Sequence, residues 1–475
     1  MHSTKSSAGK SSADQSLGRP LGKVEVLAFA CSLSMITYLD RVCFGAAMPY
    51  IVKDLGLTGV SDLKWALTAF AFAYAAFEMP SGWLGDAFGP RRTLIRIVIG
   101  WSIFTALTGL VGIRVGGVVF GGIGLLCLIR FLFGIGEAGA FPNLARVVAN
   151  WFPPQERGRA KGWIWMSGRF MGGATPLIWV LLVAGTPYTR HLLSWRGAFV
   201  LFGFLGILWC IAFSRRFTDR PAVSTLNDEH RGDALKQEPN KIHAFPWKVL
   251  LTRRSSWMIG LMYWCASYSW YFNITYFPSY METSHGVASN DILGSILKGG
   301  PLLLGGVGCL IGGYWTDYLM HKHQRRRWAR RIPAMIGHAS CGLCYVFAFY
   351  ASSAWTAALA ISLAAFSNDL MMGAAWATCQ DIGRRHTAVV AGWMNMIGNL
   401  GGAFSGWAIG TILESFVAAR AVLEKVDVKE LAKPSIQEAT ANGYRYALLT
   451  FVLVSFVAIF TWLFIDADKP LEADG

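Results

Sequence analysis

An acidic and a basic residue stand side by side in an apolar stretch near the amino terminus. The stretch SLSMITYLDRVCFGAAMPYIV runs from Ser32 to Val52 and contains Asp40 and Arg41. Neighbouring side chains on a helix point about 100° apart, so each of these charges needs its own partner. A guanidinium offers a two-pronged donor to an acid group, and a buried carboxyl group can carry a proton. The pair therefore indicates chemistry with an anion and with protons.

Further charged residues fall in other apolar stretches. Arg130, Gly134, Glu137 and Phe141 recur at i, i+4, i+7 and i+11, which places Arg130 and Glu137 on one helical face roughly 10 Å apart. The other charges of this kind are Glu78, Arg169 and Asp369, with Lys298 nearer an outer end. One interpretation is a charge-paired network that only holds helices together. Because buried ion pairs stabilise proteins weakly, we favour a cationic site for an anion, next to acids that load protons.

The elements that position these charges are apolar blocks of about twenty residues. The 475-residue chain is 54% hydrophobic and only 15% charged, with a mean hydropathy of +0.40. Such blocks match the thickness of a bilayer and are too long for the strands of a membrane barrel. The sequence therefore predicts an all-α membrane protein with twelve transmembrane helices, at 24–51, 64–86, 92–113, 117–149, 159–184, 196–214, 257–281, 292–317, 331–350, 355–378, 387–413 and 443–466.

Lys and Arg are concentrated in alternate loops, around 91–96, 157–161, 215–254, 322–331 and 384–385. This bias gives the net charge of +15 and is typical of membrane topology rather than of nucleic-acid binding. We expect a multi-pass protein of the cell (inner) membrane with both termini in the cytoplasm. The expected parts are a disordered tail at 1–20, a six-helix bundle at 21–214, a linker at 215–256, a second six-helix bundle at 257–468 and a tail at 469–475.

The two halves repeat each other. GWIWMSGRFMGG, from Gly162 to Gly173, resembles GWMNMIGNLGG, from Gly392 to Gly402, at an offset of 230 along the chain. Gly82 and Asp86 correspond to Gly313 and Asp317 at an offset of 231. Duplicated halves are typical of transporters that rock two bundles about a central site.

Other classes of function find little support in the sequence. No nucleophile–base pair, metal-ligand cluster or phosphate-binding loop is evident, and the nine cysteines lie in or beside apolar blocks. We therefore expect a monomer that is not an enzyme and has no cofactor, no metal site and no nucleic-acid partner. Its expected partners are a small organic anion, protons and the lipid bilayer.

Four motifs resemble the major facilitator superfamily and, within it, the anion:cation symporter branch. They are GWLGDAFGPRR (82–92), YLDR (38–41), RFLFGIGEAGAFPN (130–143) and WFPPQERGRAKG (151–162). That branch includes hexuronate, galactonate and glucarate transporters, sialin and the vesicular glutamate transporters. The resemblance implies the major facilitator fold of two six-helix bundles. It also implies that Asp86 and Arg91 help to hold the cytoplasmic side shut.

Roles for the charged residues combine the resemblance with the pattern. Arg41 is expected to bind the substrate carboxylate, and Asp40 and Glu137 to carry the coupling protons, with Arg130 close enough to keep Asp40 ionised. We expect two protons, because two acids are present. The candidates for contact with substrate hydroxyls are Tyr38, Tyr74, Asn273, Trp376, Asn395 and Asn399. The resemblance favours Tyr74 and Asn395, although an amide inside a membrane can instead bridge helices.

Two residues depart from the sugar-acid relatives, which tend to have a small residue or an amide in place of Arg169 and often Gln in place of Glu78. Arg169 could bind a second acid group of the substrate, or could neutralise Glu78 or Glu137. The predicted function is proton-coupled symport of a small organic anion, such as a hexuronate, aldonate or aldarate, by alternating access. The alternatives are an anion exchanger or efflux pump of the same fold, and a transport-derived membrane sensor.

Overall fold

The computed structural model describes residues 21–57, 63–115, 118–185, 192–221, 244–287 and 292–471. The predicted tail at 1–20, residues 222–243 of the predicted linker and residues 472–475 lie outside the described residues. The described chain is helical apart from loops and one short antiparallel hairpin, β1 (Ile113–Val115) with β2 (Val118–Phe120). The prediction of an all-α fold is therefore confirmed.

The amino-terminal half contains seven described helices. They are α1 (Lys23–Leu55), α2 (Lys64–Phe88), α3 (Pro90–Thr108), α4 (Ile123–Glu137), α5 (Ala140–Trp151), α6 (Arg157–Trp179, continued by a π turn at Val180–Ala184) and α7 (Trp195–Arg216). Their boundaries follow local chemistry. Pro90 begins α3 directly after Gly89, whose φ is +89°, and Ser194 caps α7 by accepting a hydrogen bond from the amide of Gly197.

The carboxy-terminal half contains nine described helices. They are α8 (Trp247–Thr252), α9 (Arg254–Thr275), α10 (Phe277–His285), α11 (Ile292–His323), α12 (Arg326–Tyr350), α13 (Ala354–Asp369), α14 (Met372–Gly383), α15 (Thr387–Glu424) and α16 (Lys433–Trp462). Short 3₁₀ turns lie at Arg384–His386 and Val428–Glu430. With the short α8 set aside, and with α4–α5, α9–α10 and α13–α14 each taken as one interrupted crossing, the helices correspond to the twelve predicted spans.

The structure changes some predicted boundaries. The fourth span was predicted to start at 117, but its helix starts at Ile123, because the hairpin occupies the residues before it. Eight stretches of the described chain are long and apolar enough to cross a membrane, and α2, α3 and α9 fall outside those eight. α2 and α3 carry several charged residues and α9 is rich in Tyr, Trp and Ser, which lowers their hydropathy.

The hydrophobic core has three main parts. One cluster lies within the amino-terminal half, around Phe44 and Phe199, and another lies within the carboxy-terminal half, around Tyr345 and Phe451. The largest cluster contains residues of both halves and lies toward the Arg-rich loops. We call that side of the bundle the basic end. The two halves meet chiefly through α2 against α15 and α6 against α11.

Close packing at this interface depends on glycine at matching positions. A side-chain carbon added to Gly392 of α15 would lie 2.8 Å from the carbonyl oxygen of Glu78 in α2. A side-chain carbon on Gly162 of α6 would lie 2.7 Å from the carbonyl oxygen of Cys309 in α11. The two glycines are related by the offset of 230, and Glu78 and Cys309 by the offset of 231, so the two contacts are equivalent in the repeat.

Candidate functional site

A cavity of about 50 Å³ lies between the two halves, near the middle of the crossing helices. The two cations in its described lining, Arg41 of α1 and Arg169 of α6, come from the amino-terminal half. The cavity also contains predicted contacts for substrate hydroxyls from both halves, namely Tyr38, Tyr74, Asn395 and Asn399.

Arg41 is held by a single buried carboxylate. Its Nε donates to Oε1 of Glu137 at 2.6 Å, and its guanidinium carbon lies 4.4 Å from the ring centre of Tyr74. About a quarter of the Arg41 side chain is exposed, whereas Glu137 is 1% exposed. Among the described residues, Nη2 of Arg41 and Oε2 of Glu137 have no hydrogen-bond partner. Nη2 of Arg41 can therefore donate a hydrogen bond to an additional oxygen atom when an anion displaces its neighbours.

Arg169 joins the two halves. Its Nε and Nη2 donate to the two carboxylate oxygens of Asp369 in α13, at 2.9 and 3.2 Å. Its Nη1 donates to the hydroxyl of Tyr38 at 2.7 Å, and its guanidinium carbon lies 4.2 Å from the ring centre of Trp270. The partner of Arg169 is therefore neither Glu78 nor Glu137, the two acids that the sequence suggested.

Glu78 forms a second polar link between the halves. This fully buried carboxylate accepts hydrogen bonds from the side-chain amides of Asn395 and Asn399 in α15, the latter at 3.2 Å. Asn399 also accepts a hydrogen bond from the hydroxyl of Tyr271 at 2.9 Å. Asn399 and Arg169 are related by the offset of 230 and so occupy equivalent positions in the repeat. Each donates across the interface to a carboxylate of the opposite half.

Asp40 faces away from the cavity. It is 2% exposed, and its nearest described polar partner is the hydroxyl of Thr105 in α3, at 3.5 Å from Oδ2. Arg130 lies among three rings, with its guanidinium carbon 4.1 Å from the ring centre of Phe44 and 4.6 Å from those of Phe70 and Phe133.

In the described chain, no ion pair within 4.0 Å joins Asp40 to Arg130, although Arg130 lies within electrostatic range of both Asp40 and Glu137. The close pairing of Arg130 with Asp40 that the sequence suggested is thus replaced by contacts with aromatic rings. The cation and the acid still belong to one buried group of charges.

Trp376 lies beneath the cavity rather than in its wall. Its indole N–H donates to the hydroxyl of Tyr263 at 3.3 Å, and its ring contacts those of Phe141 and Trp165. These aromatic rings separate the cavity from the basic end. Lys161, placed by the sequence among loop cations, is fully buried in α6, with Nζ 4.5 Å from the Trp376 ring centre. Asn273 is also buried outside the cavity lining.

Two carboxylates at the basic end cap helices of the opposite half. Asp86, near the end of α2, accepts hydrogen bonds from the amides of Ala388 and Val389 in the first turn of α15, at 3.1 and 2.9 Å. Asp317 of α11 accepts hydrogen bonds from the amides of Gly158 and Arg159 in the first turn of α6, at 3.0 and 2.8 Å. A negative charge at a helix amino terminus is favourable. We call Asp86 and Asp317, with the amides that they bind, the cross-half caps.

Arginines reinforce the cross-half caps. Arg146 lies 3.7 Å from Asp86 and donates to the carbonyl of Arg384 at 2.7 Å. Asp381 of α14 binds Arg157 of the opposite half at 2.9 Å and Arg330 of its own half at 3.1 Å. The basic end is therefore closed in this structure by ion pairs, helix caps and aromatic packing.

Arg91, the second residue that the resemblance assigned to gating, makes its described contacts within its own half. Its side chain donates to the carbonyl of Ser214, and its backbone amide donates to Oδ1 of Asp219 at 2.7 Å. Burial raises the pKa of the Asp219 carboxyl above its ordinary value. The arginine that reaches both Asp86 and the opposite half is Arg146.

Several residues of the cavity wall were not selected from the sequence. Tyr263, Ser267, Trp270 and Tyr271 of α9 line the cavity, together with Asn368 and Asp369 at the end of α13. The α9 residues fall at i, i+4, i+7 and i+8 and form one polar and aromatic face of that helix. That periodicity was a readable signal. Asp369 was noted in the sequence as an intramembrane charge, but without a partner.

The chain is similar in sequence to known transport proteins. A family model described as Major Facilitator Superfamily matches residues 30–406. A protein named "Probable galactarate/D-glucarate transporter" from Escherichia coli (strain K12) is 31% identical over 402 residues, covering 80% of this chain and 85% of the relative. A "Probable sulfoacetate transporter" from Cupriavidus necator is 29% identical over 396 residues, covering 82% and 87%.

A solved structure is also similar. The proton:xylose symporter bound to 6-bromo-6-deoxy-D-glucose superposes with a TM-score of 0.66 at 12% identity, covering 94% of this chain and 98% of that one. At this level of identity the similarity supports the fold alone. The two interlocked halves and the central cavity are consistent with that fold.

Proposed function

This chain belongs to the major facilitator superfamily, and we propose that it is a proton-coupled symporter that imports a small organic anion, namely a sugar acid. The relatives are transporters and not enzymes, and the helices make the chain a multi-pass membrane protein.

The observation that carries the proposal is the state of Arg41. Its guanidinium lines the central cavity, holds one hydrogen bond to Glu137 and has a terminal nitrogen without a described partner. A carboxylate that enters the cavity can bind this cation and compete with Glu137 for it. Once separated from Arg41, a buried Glu137 carboxylate becomes costly and takes up a proton.

The relatives favour an acidic substrate. The names of two relatives give galactarate, D-glucarate and sulfoacetate as substrates. Each of these compounds has two acid groups: two carboxylates in galactarate and glucarate, and a sulfonate and a carboxylate in sulfoacetate. The cavity supplies two arginines for such groups, and Tyr38, Tyr74, Asn395 and Asn399 supply hydrogen bonds for hydroxyls. The transported anion is, on this view, a hexuronate, an aldonate or an aldarate.

Orientation and coupling complete the proposal. The basic end faces the cytoplasm with both termini, as Lys and Arg in short loops favour. The structure then represents a state closed to the cytoplasm, and import requires the cross-half caps to open. Glu137 carries one coupling proton through its bond to Arg41, and Asp40, buried beside Thr105, carries a second.

The test is uptake by the purified protein in liposomes under an inward proton gradient. Glucuronate, galacturonate, galactonate, glucarate, sialate and sulfoacetate are supplied in turn, and a trapped dye reports the internal pH. We expect acidification that depends on the substrate. Glu137→Gln is the matched variant, which should retain counterflow of labelled anion but lose accumulation.

Other outcomes select the alternatives. Counterflow without acidification in the wild-type protein would identify an anion exchanger, and binding without any counterflow would identify a sensor. Full accumulation in Glu137→Gln would remove Glu137 from proton coupling while leaving anion transport in place.

A further inference from the structure

Asp369 takes no part in the proposed coupling, although it lies in the wall of the cavity. It is the last residue of α13, where the tenth crossing breaks before α14 resumes at Met372. Glu137 is the last residue of α4, where the fourth crossing breaks before α5 resumes at Ala140. Both carboxylates therefore mark an interruption in a membrane helix.

These two interruptions are equivalent in the repeat. The offset of 232 between Glu137 and Asp369 is close to the offset of 230 that relates α6 to α15. Each carboxylate binds an arginine of another helix: Glu137 binds Arg41 at 2.6 Å and Asp369 binds Arg169 at 2.9 Å. Interrupted helices at matching places in two halves are typical of substrate and ion sites in transporters.

The electrostatics of the two positions are alike. A carboxylate at a helix carboxy terminus meets the negative end of the helix dipole, so it is stable there only with a cationic partner. Asp369 is 1% exposed, and Arg169 supplies that partner with two hydrogen bonds. Other titratable or charged groups within range of Asp369 are Tyr38 of α1, Tyr263 of α9, Cys309 of α11, and Cys341 and Tyr345 of α12. Arg169 is the one cation among these groups.

The two pairs differ in one respect. Arg41 and Glu137 belong to the same half, whereas Arg169 and Asp369 belong to opposite halves and bridge the cavity. A substrate with a second acid group can occupy Arg169 only if Asp369 leaves it. The released Asp369 would then be a buried carboxylate without a counter-charge, which is energetically costly. Binding a proton would neutralise it.

We propose that Arg169 and Asp369 form a second dissociable pair, in which the second acid group of a diacid replaces Asp369 on Arg169 and Asp369 takes up one proton. The proton comes from the solvent on the side to which the cavity is open and forms an O–H bond on the Asp369 carboxyl. It leaves when the diacid leaves and the ion pair reforms. This inference rests on the proposed function of proton-coupled anion import.

The inference fixes a difference in proton number. A monoacid uses Arg41 alone, and a diacid uses both arginines, so a diacid carries one more proton than a monoacid. The additional proton balances the additional negative charge of the diacid. The net charge moved per transport cycle is therefore the same for both substrates.

The experiment compares glucuronate with glucarate, which differ by one carboxylate on the same carbon skeleton. Wild type, Asp369→Asn and Arg169→Gln are reconstituted in liposomes with the membrane potential clamped at zero and a gradient of one pH unit. The readout is the steady-state accumulation ratio, which depends on the number of coupled protons and not on the transport rate. The double variant R169Q/D369N carries no buried unpaired charge and serves if a single variant fails to fold.

In the wild type, we expect one more proton per glucarate than per glucuronate, from the ratios measured at several gradients. Asp369→Asn should lower the accumulation ratio of glucarate about tenfold, which is one proton at one pH unit, and should leave that of glucuronate unchanged. Arg169→Gln should raise the half-saturating concentration of glucarate more than that of glucuronate. The double variant should show the accumulation ratios of Asp369→Asn.

Equal proton numbers for the two acids in the wild type, or an unchanged ratio for glucarate in Asp369→Asn and in the double variant, would overturn this inference alone. A wild-type protein that accumulates both acids without any dependence on the proton gradient would overturn the proposed function, and the inference with it.

Discussion

Asn395 of α15 donates a hydrogen bond to the carboxylate of Glu78 in α2, across the interface between the two halves. Asn399, one helical turn further on, donates to the other carboxylate oxygen at 3.2 Å. Both oxygens of Glu78 are thus engaged by amide N–H groups of the opposite half. The geometry favours a carboxylate that joins the halves over one that carries a proton.

Glu78→Gln should therefore retain proton-driven accumulation. Glutamine has one acceptor oxygen in place of two, so one of the two hydrogen bonds is lost, a change of about 1 kcal/mol, and the uptake rate is expected to change about fivefold or less. The steady-state accumulation ratio of the transported acid should equal that of the wild type, measured in liposomes under a fixed proton gradient. A ratio reduced to the level of Glu137→Gln would instead make Glu78 a coupling acid.

Arg41→Lys tests the anion site. Lysine keeps the charge but has no planar fork, so it cannot bind a substrate carboxylate through two parallel hydrogen bonds as arginine does. Losing one charge-assisted hydrogen bond corresponds to about 1.5–3 kcal/mol, and we expect kcat/KM for uptake to fall about 10- to 100-fold.

Arg196→Lys is the matched control, because Arg196 binds Asp54 outside the cavity. It should change kcat/KM by less than about twofold, as expected for a partly exposed ion pair. Equal losses in the two lysine variants would remove Arg41 from the substrate site.

Hydrogen–deuterium exchange can test the cross-half caps directly. Asp86→Asn removes the charge that binds the amides of Ala388 and Val389 and should speed their exchange about fivefold, for a loss of about 1 kcal/mol. Because the basic end opens as a unit, exchange at Gly158 and Arg159 should also rise, as read from peptides by mass spectrometry.

Asp317→Asn should give the mirror result, with the larger change at Gly158 and Arg159. Arg91→Gln is the control, since the described contacts of Arg91 stay within the amino-terminal half. It should leave exchange at Ala388 and Val389 unchanged. Faster exchange there in Arg91→Gln would give Arg91 the gating role that the resemblance implied.

The glycine contacts allow a paired test on one helix. Gly392→Ala places a carbon 2.8 Å from the backbone oxygen of Glu78, which cannot rotate away, whereas Gly406→Ala meets no atom within 4 Å. Overpacking of this kind costs about 1–3 kcal/mol. Gly392→Ala should lower the uptake rate at least fivefold and speed exchange at Ala388, and Gly406→Ala should do neither. If Gly392→Ala and Gly406→Ala had equal effects, the loss in Gly392→Ala would reflect a general sensitivity of α15 to substitution and not its contact with α2.

Much of this architecture could be predicted from the sequence. A bilayer requires long helices with internally satisfied backbones, so apolar length and Gly-rich repeats reveal both the crossings and the two halves. The same reasoning predicted that Arg41 and Glu137 lie in the protein interior, because an unpaired charge in lipid is costly. The structure brings these two residues together, although they are 96 positions apart.

Contacts across the interface were harder to predict. Arg169 and Asp369 are 200 positions apart and belong to different halves. The helical periodicity of the sequence does not show which faces of the two bundles pack together. On charge alone, Glu78 could have paired with Arg169, yet it binds the neutral amides of Asn395 and Asn399. The helix breaks at Glu137 and Asp369 were also not predicted, although Gly139 follows the first and the polar run Ser367–Asp369 ends at the second.

The cross-half caps affect what a comparison of sequences within this family can detect. The acceptors are the side chains of Asp86 and Asp317, but the donors are backbone amides, which are the same whichever residue stands at 159, 388 or 389. A substitution at a donor position leaves its N–H in place, so no compensating change is required at the aspartate. We therefore expect no correlated substitution between each aspartate of the cross-half caps and its donor positions, in contrast to a side-chain pair such as Arg157 with Asp381. Proline, which lacks an N–H, is the substitution that would reveal them.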